Sequence, residues 1–226
     1  MNTFFSTSTG RKFLMGVTGL FLLLFVAVHL TVNLLLIFDD SGALFNSAAF
    51  FMSTNWIVKI IEPLLGLGFF IHILWSFFIE YSNYRARPVA YNKRISGETS
   101  SWASRNMLII GLLVLVFLVI HIINFFWVIN FNPEALQKVN IGGVEMEDSY
   151  TLIADLFKSS IAYDLLYILA GILLGLHLSH GFWSAFQTLG LSNKQWLVRL
   201  QLFGKIYAII VAAGFSSIPL YFLIKF

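Results

Sequence analysis

Residues 174–191 read LGLHLSHGFWSAFQTLGL and set two histidines, His177 and His180, inside a run of Leu, Gly and Phe. Followed back to residue 162, the run carries a single charged side chain, Asp164, close to its start. A helix needs about 20 apolar residues to cross the hydrocarbon core of a bilayer, and the stretch from about 162 to 189 exceeds that. Four more such runs lie near 13–37, 56–81, 106–130 and 202–224. Across its 226 residues the chain is 58% hydrophobic and 11% charged, with a mean hydropathy of +0.83. That composition excludes an ordinary soluble domain. It predicts an all-α membrane protein of five transmembrane helices, a single domain over residues 1–226.

Arg11 and Lys12 precede the first run as they would in a signal peptide, but the run is too long, and VNLLLIFDDSG (32–42) has no small-residue cleavage pattern. It is expected to remain as a membrane anchor. The chain has no cysteine, so by itself it builds neither a disulfide nor an iron–sulfur cluster.

Loop charges predict the orientation. Arg11 and Lys12 at the N-terminus, Arg85, Arg87, Lys93, Arg94 and Arg105 in the second loop, and Lys194, Arg199 and Lys205 in the fourth hold most of the positive charge. The first and third loops carry Asp39, Asp40, Glu134, Glu145, Glu147 and Asp148. Positive charge collects on the cytoplasmic side, so the N-terminus is expected inside and the C-terminus outside. The net charge of +3 is then an orientation signal, not a sign of nucleic-acid binding.

Residues 81–105 of the second loop, YSNYRARPVAYNKRISGETSSWASR, are a candidate cytoplasmic docking surface for a soluble partner. The third loop, 130–160, has turn signals at Asn132-Pro133 and Gly142-Gly143. Its residues 149–158 are expected to form a short amphipathic helix on the outer membrane surface. Neither loop is long enough for a core of its own, which leaves any chemistry to the helices or to another subunit.

All five histidines fall inside the spans: His29, His72 and His121 in the first three, His177 and His180 in the fourth. Ionisable side chains are costly in a membrane and mark function there by default. Imidazole suits iron, copper or zinc. Zinc and di-iron centres in helix bundles add carboxylates, yet Glu62, Glu80 and Asp164 all lie near span ends. Neutral nitrogen ligands in an apolar, acid-free bundle suit haem iron held axially by two histidines.

Two regularities predict two such sites. Gly19 and Gly111 each stand ten residues before a histidine, His29 and His121, with Asn33 and Asn124 shortly after; Gly66 and Gly171 stand six before His72 and His177. The first and third spans run in one direction, the second and fourth in the other. His29 therefore pairs with His121 nearer the outside, and His72 with His177 nearer the cytoplasm. Ten residues of helix are about 15 Å, so Gly19 and Gly111 are candidates for relieving crowding around the other pair.

VTGLFLLLFVAVHL (17–30), GFFIHILWSF (68–77), FLVIHIINFFW (117–127) and GLHLSHGFWSAFQTLGL (175–191) together resemble the dihaem cytochrome b subunit of succinate:quinone oxidoreductases. The version they resemble is the single-subunit, five-helix membrane anchor of bacterial succinate dehydrogenases and fumarate reductases. Thr-Gly-Leu-Phe at 18–21 and Leu-His-x-x-x-Gly ending at Gly181 are the most specific elements.

The resemblance implies that the first four helices form a dihaem four-helix bundle. His29 and His121 would bind the distal haem iron, and His72 and His177 the proximal one. It implies two haem b and a quinone, menaquinone for this anchor type. It also implies partners on the cytoplasmic side, a flavoprotein with FAD and an iron–sulfur subunit that carry the dicarboxylate chemistry. The chain would then be a respiratory-chain subunit in the bacterial cytoplasmic membrane, surrounded by lipid, passing electrons between succinate or fumarate and the quinone pool.

The pattern is departed from at two points. Some relatives carry a glutamate two residues before the fourth-helix ligand, where this chain has Gly175, and an acid near the distal quinone, where it has LFNSAAFF (44–51). Glu62 is the nearest substitute as a proton acceptor for quinol. Arg105, with Ser101, Trp102 and Lys12 nearby, is the candidate for haem propionates, and Trp75 and Trp183 for haem edges. His180, one turn from the expected ligand, is left for a propionate, a quinone or a backbone carbonyl.

Two rival classes are a desaturase-like, metal-dependent membrane enzyme, with histidines clustered at the cytoplasmic helix ends, and a transporter, with broken helices and midplane charges.

Overall fold

The computed structural model describes residues 7–86 and 102–226. Helix α1 spans Ser8–Phe38, and the Thr7 hydroxyl starts it by accepting the Gly10 amide at 3.1 Å. After a tight turn come α2, Ala43–Thr54, and α3, Trp56–Arg85, whose start is capped by the Asn55 side chain. Helices α4, Trp102–Arg105, and α5, Met107–His121, lead into a π-helical turn at Ile122–Phe126 and then α6, Trp127–Phe131. A hairpin of β1, Lys138–Ile141, and β2, Val144–Glu147, pairs Lys138 with Glu147 and Ile141 with Val144. Helix α7 covers Ser149–Ser159, α8 Ile161–Thr188 and α9 Lys194–Lys225.

Among the described residues five helices are long and apolar enough to cross a membrane: Thr9–Phe38, Trp56–Arg85, Met107–Phe131, Ile161–Thr188 and Lys194–Lys225. The protein is thus all-α in its spans and built as a multi-span membrane protein. Leu24, Phe70, Val116 and Ile209 are each 60% exposed or more. Such apolar surface suits lipid, not water.

The fifth helix begins eight residues before the expected 202. Asn193 Oδ1 accepts from the Gln195 and Trp196 amides at 3.1 and 2.9 Å, and the Arg199 guanidinium lies 5.2 Å from the centre of the Trp196 ring. A side-chain cap starts a helix wherever it sits. The charged first turns extend past the apolar run for that reason.

Helix α1 lies along α3, α8 and α9, while α5 lies along α8. The tightest seam joins α8 to α9. A Cβ added at Gly171 would stand 2.7 Å from Ser216 Oγ, and one at Gly175 2.7 Å from Ala212 Cβ. Small residues four apart let two backbones approach closely in a membrane. This accounts for Gly171, and it leaves Gly175 no room for a larger side chain.

The end of the bundle away from the N-terminus is capped by α2, the hairpin and α7. Tyr150, Ile153, Ala154 and Phe157 of α7 are buried together with Leu36, Phe45, Ile218 and Phe222. The apolar face of α7, expected on the membrane surface, is therefore laid on the bundle itself. Asn46, 2% exposed, ties the cap together: its amide donates to Asp148 Oδ1 and its Oδ1 accepts from the Tyr150 amide, both at 2.8 Å. Asp148 also accepts from the Thr151 amide at 3.1 Å and the Thr151 hydroxyl at 2.6 Å. Buried polar groups are stable only when satisfied in this way. Asp40 accepts from Tyr221 and from Lys225, joining the end of α9 to the α1–α2 turn.

Candidate functional site

The histidines of four spans converge in two pairs. His29 on α1 and His121 at the end of α5 have ring centroids 5.7 Å apart with planes at 89°. His72 on α3 and His177 on α8 have centroids 6.4 Å apart with planes at 68°. Backbone packing runs α3, α1, α8, α5. Each imidazole pair therefore bridges helices that are second neighbours in this row, across the middle of the bundle.

Two imidazoles that grip one metal ion from opposite sides, each through a nitrogen about 2 Å away, have ring centroids roughly 6 Å apart. Both pairs have that separation. Among the described residues no group of three or more His, Cys, Asp or Glu is placed to hold a metal. A site made by protein side chains alone needs three or four ligands. A macrocycle that brings four nitrogens of its own needs only the two that each pair offers.

Aromatic side chains line the His29 and His121 pair. Phe25 stacks on His29 with centroids 5.2 Å apart, and Phe117 and Phe125 flank His121 at 5.8 and 5.3 Å. Tyr167 closes the same pair, 6.2 Å from His121, with its hydroxyl accepting from Asn124 at 3.1 Å. The π-helical turn directly after His121 sets this register, because one added residue per turn rotates Asn124 and Phe125 around the axis. The sequence carries no signal for it. Asn33 holds the His29 carbonyl at 2.8 Å and lies 3.4 Å from its Nδ1.

The two glycines ten residues upstream of His29 and His121 face the opposite pair. A Cβ at Gly19 would stand 3.6 Å from His72 Cε1, and one at Gly111 3.6 Å from His177 Cε1. These are ordinary contacts, so alanine fits at either position. Gly66 faces open space, and Gly171 faces α9. The shared six-residue offset therefore has no common structural basis.

His72 and the α1 hydroxyl of Thr18 are within 3.3 Å, Nδ1 to Oγ1. The Nδ1 atoms of His121, His177 and His180 are buried with no hydrogen-bond partner among the described residues. His180 lies edge-on to Trp183 at 4.9 Å, and Trp75 to Phe78 at 6.0 Å. His180 is thus set beside, and not between, the paired rings.

The remaining candidates lie outside the pairs. Arg105 and Trp102 are exposed at the head of the third span, and Glu62 is exposed in the second turn of α3, next to Pro63. Ser101 and residues 87–100, most of the proposed docking loop, are outside the described residues. Asp164, which sequence reasoning assigned to a span end, is only 1% exposed in the first turn of α8.

Compared with protein families, characterised proteins and solved structures, the chain finds no match.

Proposed function

We propose that this chain is the membrane-anchoring cytochrome b subunit of a succinate dehydrogenase or fumarate reductase. His29 with His121, and His72 with His177, would each hold one haem b. The observation that supports this reading is the meeting of four imidazoles from four spans in two pairs of metal-gripping separation. When bound, the haems supply reversible one-electron transfer between the cytoplasmic partners and quinone.

The chain's own residues do the binding and orienting. His29 with His121 and His72 with His177 would hold the two groups, and along α1 and α5 the two pairs lie roughly ten helical residues apart, about 15 Å. Phe25, Phe117, Phe125 and Tyr167 keep water from the His29 and His121 pair. Arg105 is assigned to a propionate, and Glu62 to proton exchange with quinol. By the positive-inside rule the basic loops support a cytoplasmic N-terminus; on this reading the chain would lie in a bacterial cytoplasmic membrane, with flavoprotein and iron–sulfur subunits docked on the inner side and menaquinone in the membrane.

The function is tested by purifying the tagged chain from its own membrane in mild detergent. Co-purification of a flavin-bearing and an iron–sulfur subunit, with succinate-dependent reduction of a menaquinone analogue, is expected. Isolation of the chain with neither partner and no such activity contradicts the proposal. The desaturase-like reading predicts instead a protein-ligated metal and fatty-acyl oxidation by the chain alone. Among the described residues each pair offers two ligands, fewer than the three or four such a metal takes.

A further inference from the structure

Thr18 opens the Thr-Gly-Leu-Phe stretch of α1, and its side chain is 8% exposed. Its hydroxyl donates to the Leu14 carbonyl at 2.8 Å, with the Met15 carbonyl at 3.3 Å. A hydroxyl has one proton and two lone pairs. With that proton committed to the helix backbone, Oγ1 can only accept from His72 Nδ1, 3.3 Å away. His72 must then carry its proton on Nδ1, and Nε2 is left as the bare nitrogen.

The neighbouring residue leaves room for this approach. Gly19 has no side chain to hold the ring off α1, and a Cβ there would already touch His72 Cε1 at 3.6 Å. Thr18 and Gly19 thus act as one device, a flat seat and a hydrogen-bond acceptor for a single imidazole. Among the described residues the other three paired histidines have no such acceptor. The Nδ1 atoms of His121 and His177 have no partner among the described residues, and the group nearest His29 Nδ1 is the Asn33 amide, itself a donor.

We propose that Thr18 is a positioning residue that locks His72 in the Nδ1–H tautomer and presents Nε2 as the ligand. The proposal rests on the haem reading of the His72 and His177 pair. An acceptor on the far nitrogen of a metal-bound imidazole fixes the ring and raises its basicity, and loss of such a partner typically weakens metal affinity 10- to 100-fold. A more basic ligand favours ferric iron, so the pair served by Thr18 holds its haem at a lower potential than it would without the hydroxyl.

The test uses the purified holoprotein carrying Thr18→Val or Thr18→Ser, with both haem midpoints read by spectroelectrochemical titration. His72→Leu identifies which spectral component belongs to this pair. In Thr18→Val that component is expected to shift to higher potential and to be lost about 10-fold more readily on dilution. The other component stays unchanged and reports an intact fold, while Thr18→Ser keeps both wild-type values. A Thr18→Val protein with both potentials unmoved overturns the role of Thr18 and leaves the haem reading standing. A wild-type protein free of haem overturns both.

Discussion

A Cβ added at Gly111 would stand 3.6 Å from Cε1 of His177 and 3.9 Å from its Nδ1. Gly111 is on the helix that carries His121, yet it touches the imidazole of the other pair. The space beside His177 is therefore shaped by α5 as well as by α8. Gly111→Ala is expected to keep both haems, since its methyl makes only ordinary contact. Gly111→Leu is expected to lose the haem of His72 and His177 and to retain that of His29 and His121. Absorbance spectra and haem content of the two variants check this, and a leucine variant with full content would contradict it.

The seam between α8 and α9 gives a prediction about stability that does not involve the histidines. Gly175→Leu drives a branched side chain into Ala212, already 2.7 Å from a bare Cβ, and into the Ala208 carbonyl at 2.9 Å. Overpacking of this kind costs about 1–3 kcal/mol. A lowered melting temperature in detergent is expected, with Gly66→Ala, at a site facing open space, close to wild type.

Much of this architecture is legible in the sequence because the bilayer imposes length and polarity so strictly. The five spans follow from apolar run length, and the matched glycine offsets of His29 and His121 anticipate rings that do meet. The helix at 149–158 is likewise legible, because Asp148 caps it by accepting the Thr151 amide.

What stays hidden has its cause outside the stretch concerned. Helix α2 follows Gly42, left-handed with φ of 74°, and its Ala43 and Leu44 amides donate to Ser41 Oγ at 3.3 Å and Asp39 Oδ2 at 2.9 Å, so the start signal lies before LFNSAAFF and not within it. The strands flanking Gly142-Gly143 are only four residues each. The π-helical turn and the role of Thr18 depend on partners 43 and 54 residues away in the chain.

The cap at the far end of the bundle is expected to loosen in acid. Burial tends to raise the Asp148 carboxyl, but hydrogen bonds from the Thr151 hydroxyl, Asn46 and the Thr151 and Tyr150 amides outweigh it and hold the group below its ordinary range. A carboxyl with a lowered folded pKa contributes stability in full above its unfolded value of about 3.9, and loses it as pH falls through the folded value. Protection of the α7 amides, taken relative to their intrinsic exchange rate at each pH, should therefore fall as the pH drops below the ordinary carboxylate range. Asp148→Asn should remove that pH dependence, exchanging fast at neutral pH already. An acid response equal in both proteins would contradict the assignment.

Glu62 lies in the second turn of α3 and His180 near the end of α8, and the proposed quinone chemistry is tested at each. Glu62→Gln is expected to slow quinone turnover about 100-fold or more, the usual scale for loss of a proton-transfer group, with haem content unchanged. His180→Leu is expected to keep the axial ligation of both haems, because the ring lies against Trp183 at 4.9 Å and not opposite another imidazole. Steady-state kinetics with haem quantitation separate the two. Unchanged turnover in Glu62→Gln rules out its proton role, and loss of a haem in His180→Leu makes it a ligand or propionate contact.

On the proposed reading, His29 with His121 and His72 with His177 would each hold one haem iron. A pyridine haemochrome assay on the purified chain, scaled to protein by amino-acid analysis, measures it directly. Two haem b per chain, falling to one in His121→Leu and in His72→Leu, is the predicted result. A chain that purifies folded and carries no haem would contradict it.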